Sequence, residues 1–262
     1  MKIGVIIPSR LAPRPGGREL RDFGKELWLD GAMAGVVNQK GYNLDHWEMF
    51  VGVDPSAPVP VHIYDHATVV RGHLPGQASA VNEAAEIACL DDCDVLAFLE
   101  DDDCWHRRKS EIMLPFLEQA PFVSCSQSLV RNLEPRSEVV TVVGINDYPT
   151  PSSWIMTAAL WKRVGGFSTS YRWMVDMEWL GRLNQTKVKR IHLKERGQPR
   201  TGKLAHVATS SIVIETDLPE CLVSRTVNDQ GGMAAIQRGG GAAAEASAEV
   251  AMIREKFGDC PW

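Results

Sequence analysis

Short blocks of consecutive apolar residues alternate along this chain with segments whose apolar positions recur every three or four residues. The first block, residues 3–7, is rich in β-branched side chains and reads as a buried strand that Pro8 ends. A loop of Pro, Gly and Arg follows as far as Gly17. Residues 20–37 then space Leu20, Phe23, Leu27, Met33, Val36 and Val37 as a helix would, with Asp30-Gly31 interrupting. Residues 48–53 predict a second strand ending at Asp54-Pro55, and residues 61–64 a third after a Pro-punctuated turn. Residues 76–90 predict a helix with Ala80, Val81, Ala84, Ala85, Ile87 and Ala88 on its buried side. The apolar run Val95-Leu96-Ala97-Phe98-Leu99 predicts the next strand. It leads directly into four carboxylates, Glu100-Asp101-Asp102-Asp103.

This strand–helix–strand order favours a parallel sheet with helices on its faces. Ligands bind such sheets beyond the carboxyl ends of the strands, where Ser9, Asp54 and the acid block all fall. The second half is less regular. Residues 122–130 and 138–144 predict strands, and 147–153 a Pro/Ser loop. Residues 155–164 predict a strand running into a helix that Gly165-Gly166 stops, and 174–183 a helix. Residues 205–214 predict a further strand, 231–241 a mobile Gly-rich stretch, and 242–257 a helix by propensity. No internal repeat is present.

Composition narrows the class. With 44% hydrophobic and 23% charged residues over 262 positions, the chain can bury a substantial core and is not a disordered tail protein. A net charge of −5 argues against a nucleic-acid binder that uses its whole surface, though not against local basic patches. No apolar stretch approaches the ~18 residues of a membrane span, and the opening run is too short for a signal peptide's core. The six cysteines form no Cys-x-x-Cys pair, so neither a zinc ribbon nor a redox motif is expected. A cytoplasmic protein with reduced thiols is the expectation.

Four adjacent carboxylates repel one another unless a cation or hydrogen-bond donors neutralise them. A hard divalent ion would do so, completing its shell with phosphate oxygens. A solvated acidic loop is the alternative, and the block by itself leaves both open.

Several ordered pieces then carry a resemblance. Val5-Ile6-Ile7-Pro8-Ser9-Arg10 is similar to a first strand with its Pro-Thr/Ser loop, and Val51-Gly52-Val53-Asp54 to a second strand with its nucleotide-contacting aspartate. Gly76 through Ala84 is similar to a helix in which glycine precedes an Ala/x/Asn segment. Phe98-Leu99-Glu100-Asp101-Asp102-Asp103-Cys104-Trp105 is similar to a Phe-Leu-Asp-x-Asp-Asp-x-Trp segment. Val164-Gly165-Gly166-Phe167, followed by Asp176 through Leu183, is similar to a Gly-Gly-Phe and Glu-Asp-x-Asp-Leu region. His206 with Ser210-Ser211 is similar to a late His-x-x-x-Ser element. Together these resemble a family-2 glycosyltransferase of the GT-A fold, over residues 1 to about 215. Two positions depart from the pattern: Glu100 stands for an aspartate, and Val175 for the glutamate before the base.

The resemblance implies an α/β, GT-A (Rossmann-like) architecture: a mixed, mostly parallel central sheet flanked by helices, with a C-terminal helical extension. Residues 1–120 would form the nucleotide-binding half, 121–215 the acceptor-binding half, and 216–262 an extension with a Gly-rich loop and a helix. It implies an inverting, metal-dependent transfer of sugar from a nucleoside-diphosphate donor, UDP-linked by family habit, with Mn²⁺ or Mg²⁺. Asp102 and His206 would hold the metal. Glu100, Asp101 and Asp54 would face the nucleotide, with Pro8, Ser9 and Arg10 lining the pocket and Asn82 ordering the loop nearby. Asp176 would be the general base, Trp154 and Glu178 would meet the acceptor, and Asp103 would serve local structure. Each has a plainer role beside it: a turn for Asp54, a helix N-terminal acid for Asp176, core packing for His206 and Trp154.

The acceptor stays open between a saccharide, a lipid-linked saccharide and DNA. Basic residues crowd 187–203 (Lys187, Lys189, Arg190, Lys194, Arg196, Arg200, Lys203) and again appear as Arg10, Arg14, Arg18 and Arg21. A solvated surface or a loop closing over diphosphate explains them, and so does an anionic acceptor such as a phosphorylated lipid carrier or hydroxymethylated DNA. A non-catalytic nucleotide-sugar binding module is the third possibility.

Overall fold

A computed structural model describes every residue except 21–23, 44, 132–140, 196–210, 217–221, 227–231 and 259–262. The chain opens with β1 (Ile3–Ser9), a small hairpin of β2 (Glu19–Leu20) and β3 (Gly24–Lys25), and helix α1 (Trp28–Val37). Then come β4 (Trp47–Val53), the single helical turn α2 (Val61–Tyr64), β5 (Thr68–Arg71), α3 (Gln77–Leu90) and β6 (Val95–Phe98). The middle holds β7 (Cys104–Trp105), α4 (Lys109–Met113), β8 (Phe122–Cys125), β9 (Gln127–Arg131), β10 (Thr141–Asn146), β11 (Ile155–Thr157) and α5 (Ala158–Val164). Helix α6 (Val175–Gln185), strands β12 (Arg190–Glu195), β13 (Ser211–Thr216) and β14 (Val223–Thr226), and helices α7 (Gly232–Gln237) and α8 (Gly241–Phe257) complete it.

Among the described residues the main sheet has eight strands in the order β13-β12-β8-β11-β6-β1-β4-β5. All run parallel except β11, which is antiparallel to both its neighbours. A second sheet, β10-β9-β14-β7, lies over the carboxyl end of β6. The C-terminal extension is therefore woven in: β14 runs antiparallel to β7 and parallel to β9. No helix among the described residues is long and apolar enough to cross a membrane.

Strand periodicity builds two cores. Ile3, Val5 and Ile7 of β1 point to one layer with Leu29, Met33 and Val36 of α1, while Ile6 points to the other with Phe50 and Val81. That second layer ends in an aromatic cluster. Trp154 stacks on Trp179 with ring centroids 5.0 Å apart, and Trp161 on Trp179 at 5.7 Å. Helix α3 sits directly on β4 at Gly52, where an added Cβ would stand 2.2 Å from the Ala80 carbonyl oxygen. Gly52→Ala is therefore expected to cost about 3 kcal/mol, because backbone meets backbone and neither can turn away. Urea unfolding measures it, and an unchanged midpoint would mean that α3 lifts off the sheet freely.

The structure corrects three expectations. Residues 61–64 form a helical turn, with Val61 70% and Tyr64 53% exposed, and the edge strand is the following β5. Pro60 precedes that turn with φ −59°, and only Ile63 of its four residues is buried. The helix predicted from Leu20 starts at Trp28. Asp30, read as an interruption, instead accepts the Leu27 N–H at 2.7 Å and caps the helix start. The Gly-rich stretch from 231 contains helix α7 and a turn at Gly239 and Gly240, both at positive φ, that leads into α8.

Candidate active site

The carboxyl ends of β1, β4 and β6 bring the predicted groups to one edge. Ser9, the last residue of β1, donates its hydroxyl to Asp101 Oδ2 at 2.6 Å and accepts the Leu11 N–H at 2.9 Å. The Arg10 N–H reaches the same Asp101 oxygen at 3.3 Å. Burial pushes the Asp101 carboxyl up, the Ser9 hydroxyl and Arg10 N–H draw it down, and the Glu100 charge pushes it up again. Beyond β4, Asp54 Oδ1 accepts the Gly76 N–H at 2.8 Å and ties down the entrance to α3. Gln77, the first residue of α3, donates to Glu100 Oε1 at 3.0 Å, and the Glu100 N–H donates to the Ser152 hydroxyl at 2.9 Å. Glu100, Asp101 and Asp102 are all partly exposed.

Asp103 behaves differently. It is 3% exposed and accepts the Thr226 N–H of β14 at 3.0 Å. Burial first, then the charges of Asp102 and Glu100, hold its carboxyl well above the usual range. It is thus tied to β14 rather than open to the edge.

Asp176 comes from the other half of the chain, in the first turn of α6, and lies half-buried within electrostatic reach of Glu100. Its Oδ1 accepts the Met177 N–H at 2.9 Å. Burial and the Glu100 charge raise it to about 6, against the opposing pull of the Met177 N–H, Arg225 and the Tyr148 hydroxyl. A carboxylate held near neutrality beside a charged sheet edge suits proton transfer.

One functional group escaped the sequence reading. Arg225, carried by β14, lies within electrostatic reach of Glu100, Asp103, Asp176 and Asp102. Burial alone would lower its pKa, yet the four carboxylates more than reverse this and hold the guanidinium charged. Its charge offsets part of the repulsion within the acid block. The signal in the sequence is slight: a lone arginine after Leu222-Val223, more than 120 positions from the block it neutralises.

Three predicted site residues are not brought to the edge. Trp154 is 0% exposed, stacked among aromatics, and donates its indole N–H to the Pro149 carbonyl at 2.7 Å, so no acceptor can lie on its ring. Glu178 is 1% exposed and spends both oxygens on Arg182 at 3.0 Å, with Lys256 at 3.2 Å. Arg182 in turn donates to the carbonyls of Val164 and Gly166, so this pair braces α6 against the Gly165-Gly166 turn. Asn82 spends its amide on Phe167, donating to the carbonyl at 2.8 Å and accepting the N–H at 2.6 Å. It orders the same turn rather than a nucleotide loop. His206 lies outside the described residues, as do Arg196, Arg200 and Lys203.

The basic segment also changes character. Arg190, His192 and Lys194 alternate along β12, so they share one face, and all three are buried. Burial drives His192 down to about 4, and its ring meets the Ser124 hydroxyl at 2.8 Å. Lys194 pairs with Asp147 at 3.6 Å. Lys187 and Lys189 remain exposed.

The mostly parallel sheet, its acid-tipped edge and the helix-borne carboxylate define the class: a GT-A (Rossmann-like) α/β fold. No protein-family model and no curated protein matches the chain. Among solved structures it is similar to residues 1–349 of TarS from S. aureus in complex with UDP, at 14% identity and a TM-score of 0.54 over 87% of this chain and 61% of that one. The same TarS portion in complex with UDP-GlcNAc matches at 13% and 0.52, over 89% and 61%. Mannosyltransferase PcManGT from Pyrobaculum calidifontis, in complex with GDP-Man and Mn²⁺, matches at 13% and 0.53, over 90% and 60%. The chain thus spans about three fifths of the length of these structures, and at such identities the likeness shows the fold.

Proposed function

We propose that the chain is an inverting glycosyltransferase that moves a sugar from a nucleoside-diphosphate donor, UDP-linked in the first instance, to an acceptor hydroxyl. The observation that carries this reading is the gathering of Ser9, Asp54, Glu100 and Asp101 at the carboxyl ends of β1, β4 and β6, with Asp176, raised to about 6, within the electrostatic field of Glu100 and Arg225. The resemblance in sequence and the nucleotide-sugar complexes among proteins of the same fold support it.

In this reading Ser9, Arg10 and Asp54 receive the nucleotide, with Glu100 and Asp101 toward ribose and diphosphate. Asp176 takes the proton of the acceptor hydroxyl as its oxygen bonds to the anomeric carbon. The bond from that carbon to the diphosphate oxygen breaks on the opposite side and leaves its electron pair on the diphosphate. Arg225 offsets charge that builds there.

The donor set suits a hard cation only in part. Among the described residues no three carboxylate, histidine or cysteine groups converge as a ready-made metal site. Mg²⁺ or Mn²⁺ asks less, since one or two carboxylates plus diphosphate oxygens and water suffice. Asp102, at the partly exposed tip of the block, would be that ligand, with His206 as a second. When bound, the ion would neutralise the leaving diphosphate.

A thermal-shift panel of UDP, GDP and their sugar conjugates, each with and without Mn²⁺ or Mg²⁺, tests the donor. Saturation at ~100 times the dissociation constant is expected to stabilise the protein by ~2.7 kcal/mol, a rise of several degrees. A panel in which no nucleotide moves the melting temperature removes the donor reading.

The acceptor is proposed as a saccharide, free or lipid-linked. The burial of Arg190 and Lys194 takes two of the cations that motivated a DNA acceptor away from the surface.

A further inference from the structure

Helix α8 lies along α6 and grips it at two levels. Three consecutive backbone N–H groups, those of Arg172, Trp173 and Met174, donate to the Glu249 carboxylate at 2.7, 2.9 and 2.9 Å. One turn earlier, Glu245 accepts the Trp173 indole N–H at 2.9 Å. Farther along, Lys256 reaches Glu178 at 3.2 Å, and the Phe257 ring packs so tightly on Gly181 that an added Cβ would stand 2.6 Å from it. Ala246 and Ile253, buried on α8 three and four residues either side of Glu249, complete the contact stripe.

Met174 is the N-cap of α6, and its own side chain makes no capping hydrogen bond. Helix starts leave backbone N–H groups without partners, and a carboxylate is the strongest side-chain acceptor for them. Here that acceptor comes from the opposite end of the sequence. Asp176 follows Met174 by two residues, in the first turn of the helix so anchored. Catalytic groups must be held within about 0.5 Å of their productive place, and an error of 1 Å costs about 100-fold.

We infer that Glu249 is a positioning residue: through three main-chain hydrogen bonds it fixes the start of α6 and so aims the Asp176 carboxylate at the acceptor. The inference rests on the reading of Asp176 as the base. It makes α8 part of the working enzyme rather than an appendage.

The test compares Glu249→Gln, Glu249→Ala and Glu249→Asp in the full chain. With any nucleotide sugar the wild type turns over, Gln is expected to lower kcat about 10-fold and Ala about 100-fold, with Asp regaining part of the loss. The donor KM and the thermal shift induced by the nucleoside diphosphate should stay at wild-type values, because the nucleotide-side groups Ser9, Asp54 and Glu100 follow β1, β4 and β6, whereas Glu249 bonds the segment entering α6. If Glu249→Ala does not fold, Glu249→Gln carries the test, since it keeps the side chain's size. A kcat per folded molecule equal to wild type in Glu249→Gln, whatever its melting temperature, overturns the inference and leaves the reading of the site intact. A wild type that binds nucleotide but transfers no sugar overturns both.

Discussion

Replacing Asp176 with Asn leaves a protein that binds nucleoside diphosphate as before and has lost sugar transfer by about 10²–10⁴-fold, the range expected for removal of a general base. In the wild type, kcat/KM rises with pH through about 6 and then levels, because the base works only once ionised. The sign for stability runs the other way. Between the ordinary carboxylate range and about pH 6 the folded state binds more protons than the unfolded state, so stability falls as pH rises through that window. Above it the ionised, half-buried carboxylate is a standing cost. Asn removes the charge, so the inactive variant should be more stable at pH 7.5, by about 2 kcal/mol after allowance for the group's contact with water. Undiminished turnover in Asp176→Asn would exclude this residue as the base, and a less stable variant would exclude the strained carboxylate.

Lys109 gives the second large effect. It is 0% exposed, its Nζ sits 3.9 Å over the Trp105 ring, and no hydrogen-bond partner meets the amine among the described residues. Burial holds it down at about 7. The unfolded chain keeps this lysine charged to far higher pH, so its contribution to stability should climb by about 1.4 kcal/mol per pH unit from about 7 to about 9, above which the buried thiols of Cys93 and Cys125, raised to about 11 and about 12, act in the opposite sense. Lys109→Met keeps the volume and removes the desolvation cost. It should stabilise the protein by about 4 kcal/mol below pH 7 and flatten that slope, as read from urea unfolding at pH 6, 7.5 and 9. Equal midpoints at pH 6 would show that the amine finds water or an anion there. The effect should not touch turnover, although Trp105 adjoins the acid block: the Trp105 indole N–H is anchored on the Ser152 carbonyl at 2.9 Å.

The nucleotide-side half of the fold was legible because its signals are local. Continuous β-branched runs mark β1, β4 and β6, and the sheet rule alone sends Ser9, Asp54 and the acid block to one edge. Asp176 followed from its place after the Gly-Gly-Phe turn. The misread positions were misread for a shared reason: burial is not written locally. Trp154, Glu178 and Asn82 look like contact residues in the chain, yet an aromatic stack, an ion pair and a main-chain turn absorb them. Arg190 and Lys194 look like a basic surface until the two-residue period of β12 turns them inward. Arg225 and Glu249 were invisible because each acts on residues far away in sequence, through a strand pairing and a helix packing that no periodicity encodes.

The seating of β14 between β7 and β9 has a consequence for biogenesis. Thr226 meets Asp103 across 123 positions of sequence, so the acid block receives this hydrogen-bond donor, and the charge of Arg225 beside it in sequence, late in synthesis. Closing the chain over so long a separation carries a loop-closure cost that only the finished β14 can offset. The pairing of β14 with β7 and β9 therefore ties the acid block to the last third of the chain.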